Sequence, residues 1–257
     1  MTIKWLTAFI DAPSSSFADT VEFWRKATGW TLSDYRGDGE QFVTLIPASG
    51  DSCLRLQRLG DGPARVHIDL HVAEPQAEAK RAVQLGAEII ADDTHVDDTH
   101  VDDSHVIMAS PSGLPFCFVS HHGEQSVPPP IDPAAPHAVN QICIDIPAPL
   151  FDQECKFWDA LTGWELRPSQ LNEYASLAQP DPIPFRLLLQ RLGADDPGTI
   201  ARAHLDVSSG RNGADIADQH RAAGATQTGS GVQWVVMADP AGLPYCLTER
   251  DPELPTR

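Results

Sequence analysis

The chain has 257 residues, 36 acidic against 18 basic, and a net charge of −18 at neutral pH. That balance lacks the clustered Lys and Arg that grip phosphates, which excludes nucleic acid and anionic membrane surfaces as natural partners. Apolar residues make up 42% and charged residues 21%, an ordinary globular composition, and no run of eighteen apolar residues offers a membrane span.

Trp5–Asp11 is an apolar run suited to a buried strand. Ser14, Ser15 and Ser16 offer N-caps for a helix ending near Thr28. On it Phe17, Val21, Trp24 and Ala27 share one face, and Gly29 reads as the C-cap. Trp30–Ser33, Phe42–Ile46 and Cys53–Gln57 read as strands between Gly- and Asp-containing turns. A fifth strand, His67–Val72, leads to a helix from Pro75 to Leu85, with Pro suited to the first turn. Strands near Ala87–Ala91, His105–Ala109 and Phe116–Ser120 follow. The order is βαβββ, twice.

The second half repeats the first. Asp11-Ala12-Pro13, Phe23-Trp24 and Gly29-Trp30 return as Asp145-Ile146-Pro147, Phe157-Trp158 and Gly163-Trp164, all at an offset of 134 (145 − 11). Leu56–Gly60 returns as Leu189–Gly193, His67-Ile68-Asp69 as His204-Leu205-Asp206, Gly86-Ala87 as Gly224-Ala225, and Pro111–Cys117 as Pro240–Cys246. Two domains are therefore expected, over 1–120 and 138–250. A Pro-rich linker at 121–137 is expected to be extended and semi-rigid, and a polar tail follows at 251–257.

Phe23-Trp24…Thr28-Gly29-Trp30, the histidines opening the fifth strands, and Ala238-Asp239-Pro240-Ala241-Gly242-Leu243 before the last strand carry a resemblance to the vicinal oxygen chelate (glyoxalase/bleomycin-resistance/dioxygenase) superfamily. The resemblance implies an α+β fold. Four βαβββ modules would pair into two glyoxalase-like domains with curved mixed sheets, each cupping a site. It also implies a metal held by one residue from each of the first, fourth, fifth and eighth strands. The matching positions are Thr7, Gln57, His67 and Cys117 in copy one, and Gln141, Gln190, His204 and Cys246 in copy two. The superfamily's metal enzymes usually carry Glu at the eighth-strand position and Glu or His at the fourth.

At those positions this sequence departs from the pattern. A hard divalent cation wants carboxylate oxygens, and a non-haem iron oxygenase wants two His and one carboxylate. Neither set is present there, so no cofactor is expected and a dioxygenase is disfavoured. A divalent metal, if bound, belongs at Gln141, Gln190, His204 and Cys246. Asp69 and Asp206 lie two residues beyond the histidines and so share their strand face. Each can orient its His or reach a neighbouring strand. Cys117 and Cys246 read as small buried side chains rather than nucleophiles. Trp234 has no counterpart in copy one and is a candidate for a pocket unique to copy two.

The pentads Asp92–Val96, Asp97–Val101 and Asp102–Val106 break the repeat. Ala87 to Met108 spans 21 positions where Ala225 to Met237 spans 12. They read as a solvated, duplicated hairpin tip rather than a metal-sequestering tract.

Five cysteines, an odd and widely spaced set, read as reduced thiols. The N-terminus lacks a signal-peptide pattern, so a cytoplasmic protein is expected, as a monomer or homodimer. Three functions remain open. The first is a bleomycin-resistance-like protein that binds a small molecule through Thr7, Gln57, Asp69, Cys117, Gln141, Gln190, Asp206, Trp234 and Cys246. The second is a lyase or isomerase with His67 or His204 as general base, with or without metal. The third is a catalytically silent scaffold.

Overall fold

The computed structural model describes residues 3–93, 105–131 and 136–252. Copy one runs β1 (Trp5–Pro13), α1 (Phe17–Thr28), β2 (Thr31–Leu32), β3 (Phe42–Ile46), β4 (Leu54–Leu59), β5 (Arg65–Val72), α2 (Pro75–Gln84), β6 (Glu88–Asp93), β7 (His105–Ala109) and β8 (Pro115–Ser120). Copy two runs β9 (Ala138–Ile146), α3 (Phe151–Thr162), β10 (Glu165–Pro168), β11 (Tyr174–Ala178), β12 (Arg186–Arg191), β13 (Arg202–Ser208), α4 (Gly213–Ala223), β14 (Thr226–Ser230), β15 (Trp234–Ala238) and β16 (Pro244–Thr248). The βαβββ module thus occurs four times. It builds two eight-stranded sheets, ordered β2-β3-β4-β1-β5-β8-β7-β6 and β10-β11-β12-β9-β13-β16-β15-β14. Both sheets are mixed, since β4 runs parallel to β1, β8 to β5 and β16 to β13, while the outer pairs are antiparallel. This is the α+β class that the resemblance implied.

The described residues group into two compact units that do not follow chain order. One comprises Met1–Thr7, His67–Gln125 and Cys143–Ala203; the other comprises Ala8–Val66, Ser126–Ile142 and His204–Arg257. In the first, α2 packs on β7 and β8, and α3 on β10 and β12. Phe116, Phe118, Phe157 and Trp158 form its aromatic centre. In the second, α1 packs on β4 and α4, and α4 also on β14, β15 and β16. Phe23, Trp24, His220 and Tyr245 form the matching centre there.

Trp24 and its counterpart Trp158 each need a partner for a buried indole N–H. Trp158 donates to Glu154 Oε1 (2.8 Å), and Glu154 Oε2 also accepts the Ser112 backbone N–H (3.0 Å). Trp24 donates to Asp239 Oδ2 (3.0 Å), while Asp239 Oδ1 accepts N–H groups from Ala241 (2.9 Å) and Leu243 (3.0 Å). The Asp-Pro-Ala-Gly motif is thereby a structural device: its Asp caps the turn before β16 and holds Trp24. In the other unit two residues share these tasks. Ser110 Oγ accepts the Leu114 N–H (3.1 Å), while Glu154 serves the indole and the Ser112 N–H of the same turn.

Several local expectations shift. Helix α1 begins at Phe17, but Ser16 at its N-cap makes no side-chain cap bond; its hydroxyl lies 3.5 Å from the Pro13 carbonyl. The predicted face is buried, together with Thr20, Phe23 and Thr28. Gly29 and Gly163 end α1 and α3 at φ 64° and 69°, a left-handed conformation costly for other residues. The strand expected over Trp30–Ser33 shrinks to Thr31–Leu32. The start of the Pro-rich segment is docked. Asp51 N–H donates to the Ser126 carbonyl (2.6 Å) and Ser126 N–H to Asp51 Oδ2 (2.8 Å). Thr94–Ser104, which hold most of the Asp-His pentads, and tail residues 253–257 lie outside the described residues.

His220 gives this core a pH dependence. Burial, with a further contribution from nearby His137, pushes its pKa down to about 4, against about 6.5 in an unfolded chain. The unfolded chain therefore takes up a proton between those values that the folded chain refuses. Stability is intact above about pH 6.5, falls as pH drops through the window, and levels off near 4. The loss amounts to about 3 kcal/mol. Urea midpoints measured from pH 7 to 4 should fall in the parent protein and fall less in His220→Gln, which keeps a group able to bond Tyr245. Parallel curves would contradict this reading.

Candidate functional site

Strands β5 and β13 are buried along nearly their whole length. Side chains alternate faces along a strand. Ile68, Leu70 and Val72, like Leu205 and Val207, therefore point one way, and His67, Asp69 and His71, like His204, Asp206 and Ser208, point the other. The second set is polar and buried: His67 is 8% exposed, Asp69 5%, His71 1%, His204 8% and Asp206 3%. Buried polar groups at this density must be paired, and their pairings define the site.

In copy one, Asp69 sits opposite Cys117 in the parallel β5/β8 register, and His67 Nε2 lies 3.5 Å from Asp69 Oδ1. In copy two, Asp206 sits opposite Cys246, His204 Nε2 lies 3.3 Å from Asp206 Oδ1, and Cys246 Sγ lies 3.7 Å from the same nitrogen. In both sets the His nitrogen, carboxylate oxygen and thiol come within 4.8 Å of one another. The Asp thus does both things open to it from sequence. Asp206 addresses its own histidine and also accepts a hydrogen bond from the Gln141 amide N–H on β9.

Copy two extends this into a chain. Gln141 Oε1 accepts from Arg250 Nη1 at 2.8 Å, giving Arg250–Gln141–Asp206–His204–Cys246. Copy one is built differently. Thr7 Oγ1 bonds His71 Nε2 at 2.9 Å, and beyond His71 lie Glu124 and His121. Gln190 accepts from the Cys143 thiol at 3.4 Å, and Gln57 sits half-buried on β4, its Cα opposite Asp11. Trp234 is 37% exposed, its ring laid against Gly231 in the turn before β15. Two surface clefts, of about 800 and 470 Å³, lie elsewhere. Ser209, Arg211 and Glu249 line the first, Gln84, Gln153 and Lys156 the second, and neither includes a predicted site residue.

The donor sets do not fit the superfamily's four-strand metal site. The first-strand position is already engaged in both copies: Thr7 by His71, and Gln141 by a carboxylate on one side and a guanidinium on the other. The fourth-strand Gln190 accepts a hydrogen bond from the Cys143 thiol. In copy two what remains is His, Asp and Cys. The arrangement is equally unlike a thiol-activating relay, because Cys246 and Asp206 both address Nε2 of His204; a relay needs the carboxylate on the other ring nitrogen.

Four residues of this region escaped the sequence reading: His71, His121, Glu124 and Arg250. Three carried a period-two signal, for His71 is four residues beyond His67, His121 four beyond Cys117, and Arg250 four beyond Cys246. A set of two histidines and a carboxylate does occur in copy one, at positions the motif comparison did not cover. His71, His121 and Glu124 converge, but outside the four strand positions considered.

The profile of the glyoxalase-like domain family matches residues 7–119 and again 141–248. No curated protein sequence matches the chain. Among solved structures it is similar to a Mn(II)-bound glyoxalase from Novosphingobium aromaticivorans, with TM-score 0.65 and 14% identity over 97% of this chain and 83% of that one. It is also similar to 2,2',3-trihydroxybiphenyl 1,2-dioxygenase from Sphingomonas wittichii strain RW1, with TM-score 0.62 and 12% identity over 100% and 93% of the two chains. A catechol 2,3-dioxygenase gives TM-score 0.58 and 14% identity over 100% and 91%. At these identities the likeness is one of fold, the vicinal oxygen chelate fold.

The thiols differ in access. Cys246 is partly exposed and the other four are buried. Burial pushes the Cys53 thiol up, and burial plus the Asp152 and Glu154 carboxylates raise Cys155 to about 12. Thiolate is the reactive form, so brief alkylation of the native protein followed by peptide mapping should find Cys246 modified first. Earlier modification of Cys53 or Cys155 would contradict the geometry.

Proposed function

The chain belongs to the family of glyoxalase-like domains, which it carries twice, and from that premise we propose that it binds a small organic molecule against the polar strand faces of one or both copies, without the superfamily's usual catalytic metal. One observation carries the reading. Each copy turns a His–Asp–Cys set, buried except for the partly exposed Cys246, to the same strand face, while its usual first-strand ligand is tied into a protein hydrogen bond. Such a set offers imidazole, carboxylate and thiol groups that orient a ligand beside apolar neighbours. Copy two is the stronger candidate, because Arg250 and Gln141 hold Asp206 in place beside His204.

A second reading is favoured by the carboxylate beside each histidine. That carboxylate can hold the ring in one orientation, which suits His67 or His204 as the general base of a lyase or isomerase. In either reading the partner is a small molecule, and the net charge of −18 argues against nucleic acid and anionic lipid. We read the protein as cytoplasmic, with its thiols reduced. Among the described residues no helix is long and apolar enough to cross a membrane.

Thermal shift against catechol, benzoate, S-methylglutathione and bleomycin tests the binding reading. A compound at 100 times its dissociation constant stabilises by about 2.7 kcal/mol, roughly 5–10 °C in a chain of this size. We expect at least one compound to shift the parent protein, and His204→Ala to weaken that compound at least tenfold with little change in its own melting temperature. A large loss of stability in His204→Ala with unchanged affinity would sink the assignment and make the histidine structural.

A further inference from the structure

Copy one gathers a second set of ligating atoms away from His67, Asp69 and Cys117. His71 is on β5 and 1% exposed. His121 follows directly after β8, where its N–H donates to the Val72 carbonyl (3.1 Å), and Glu124 lies three residues on. His121 Nδ1 is 3.1 Å from Glu124 Oε2, His71 Nδ1 is 3.8 Å from the same oxygen, and all three ligand atoms lie within 4.8 Å of one another. The side chains of His121 and Glu124 are 19% and 17% exposed, so the cluster is open to solvent at one side.

We propose that His71, His121 and Glu124 form a binding site for a divalent ion of the zinc class, specific to copy one. The chemistry of the set supports it: two imidazoles and a carboxylate are the ligands that borderline transition ions prefer. The spacing supports it as well. Two ligands each about 2.0–2.1 Å from a tetrahedral ion sit about 3.3 Å apart, and the observed separations of 3.1 and 3.8 Å bracket that value. The orientation of His71 is the third support. Its Nε2 lies 2.9 Å from Thr7 Oγ1 and its Nδ1 is the ring atom turned toward Glu124, so the nitrogen nearer the carboxylate is the one placed to ligate an ion. An outer hydrogen bond on the far ring nitrogen is the usual arrangement of a metal-bound histidine.

The internal repeat supplies a control. The residues equivalent to His71 and His121 are Ser208 and Arg250. Ser208 Oγ donates to Asn140 Oδ1 (2.7 Å), and Arg250 donates to Gln141. Copy two therefore has a fixed guanidinium at the position of His121 and no ligand at that of His71. Three protein ligands leave a four-coordinate ion one position for water or another small donor.

The test uses the full chain, stripped with chelator and titrated with Zn²⁺ by calorimetry and with Co²⁺ by absorption. We expect one ion per chain, with cobalt d–d bands and no thiolate charge-transfer band. Affinity should drop by more than roughly 100-fold in His121→Ala and Glu124→Ala, and by roughly 10–100-fold in Thr7→Val, which removes only an outer partner of His71. Cys117→Ser and Cys246→Ser should bind as the parent does. Circular dichroism of each variant before titration shows that it is folded, and His121→Gln stands in for His121→Ala should that variant unfold. Absence of binding would overturn the proposal. So would a thiolate band abolished by the cysteine variants, or binding unchanged in both His121→Ala and Glu124→Ala, which would place the ion on the Asp-His pentads.

Discussion

A polar side chain buried on a central strand has to find its partner on the strand beside it, because an unpaired polar group away from water is costly. That constraint organises both copies. Thr7 meets His71, Asp11 meets Arg65 (2.9 Å), Gln141 meets Asp206, Asn140 meets Ser208, and Asp145 faces Arg202 (4.0 Å). Every pair joins the first strand of a copy to its fifth. The repeat landmarks Asp11 and Asp145 thereby gain a structural explanation as partners of arginines at the start of β5 and β13. Replacing either partner alone would strand the other, whereas matched changes at both positions of a pair are tolerated far better.

The same constraint explains how two copies of one module came to differ. Position 7 holds Thr and its counterpart 141 holds Gln, and each change brought its own partner: a histidine on β5 in copy one, an arginine after β16 in copy two. A threonine hydroxyl is satisfied by one imidazole. A glutamine has two ends, one taken by Asp206 and the other by Arg250. The cores diverge in the same way, since Asp239 alone serves both the turn and Trp24, while Ser110 and Glu154 share the turn and Glu154 also holds Trp158. A shared fold with exchanged hydrogen-bond partners is what a superfamily of many functions looks like at the level of single residues.

Much of the candidate site was legible before any coordinates. Period-two alternation puts His67 with Asp69 and His204 with Asp206 on one face, and the motif positions lead to Cys117 and Cys246. Sequence did not show that the histidine and thiol of each set would close within 4.8 Å around the Asp, because that distance depends on the parallel registers that set Asp69 opposite Cys117 and Asp206 opposite Cys246. Ser16 was misread as a side-chain cap because capping depends on the rotamer as well as the residue type. Glu124 was invisible because it lies in a loop, where no periodicity marks which way a side chain turns.

Repeat, module order, helix faces and the glycines that end α1 and α3 all follow from local rules. Spacing along the chain sets which residues share a face, and backbone sterics decide which residue accepts a positive φ. Those features were determined by the sequence alone. Partner choice was decided only by tertiary structure: that Trp24 would bond Asp239, 215 residues away, that Arg250 would occupy Gln141, and that His71, His121 and Glu124 would meet. The physical reason is that hydrogen bonds act over about 3 Å, so their partners are set by how strands register and helices pack.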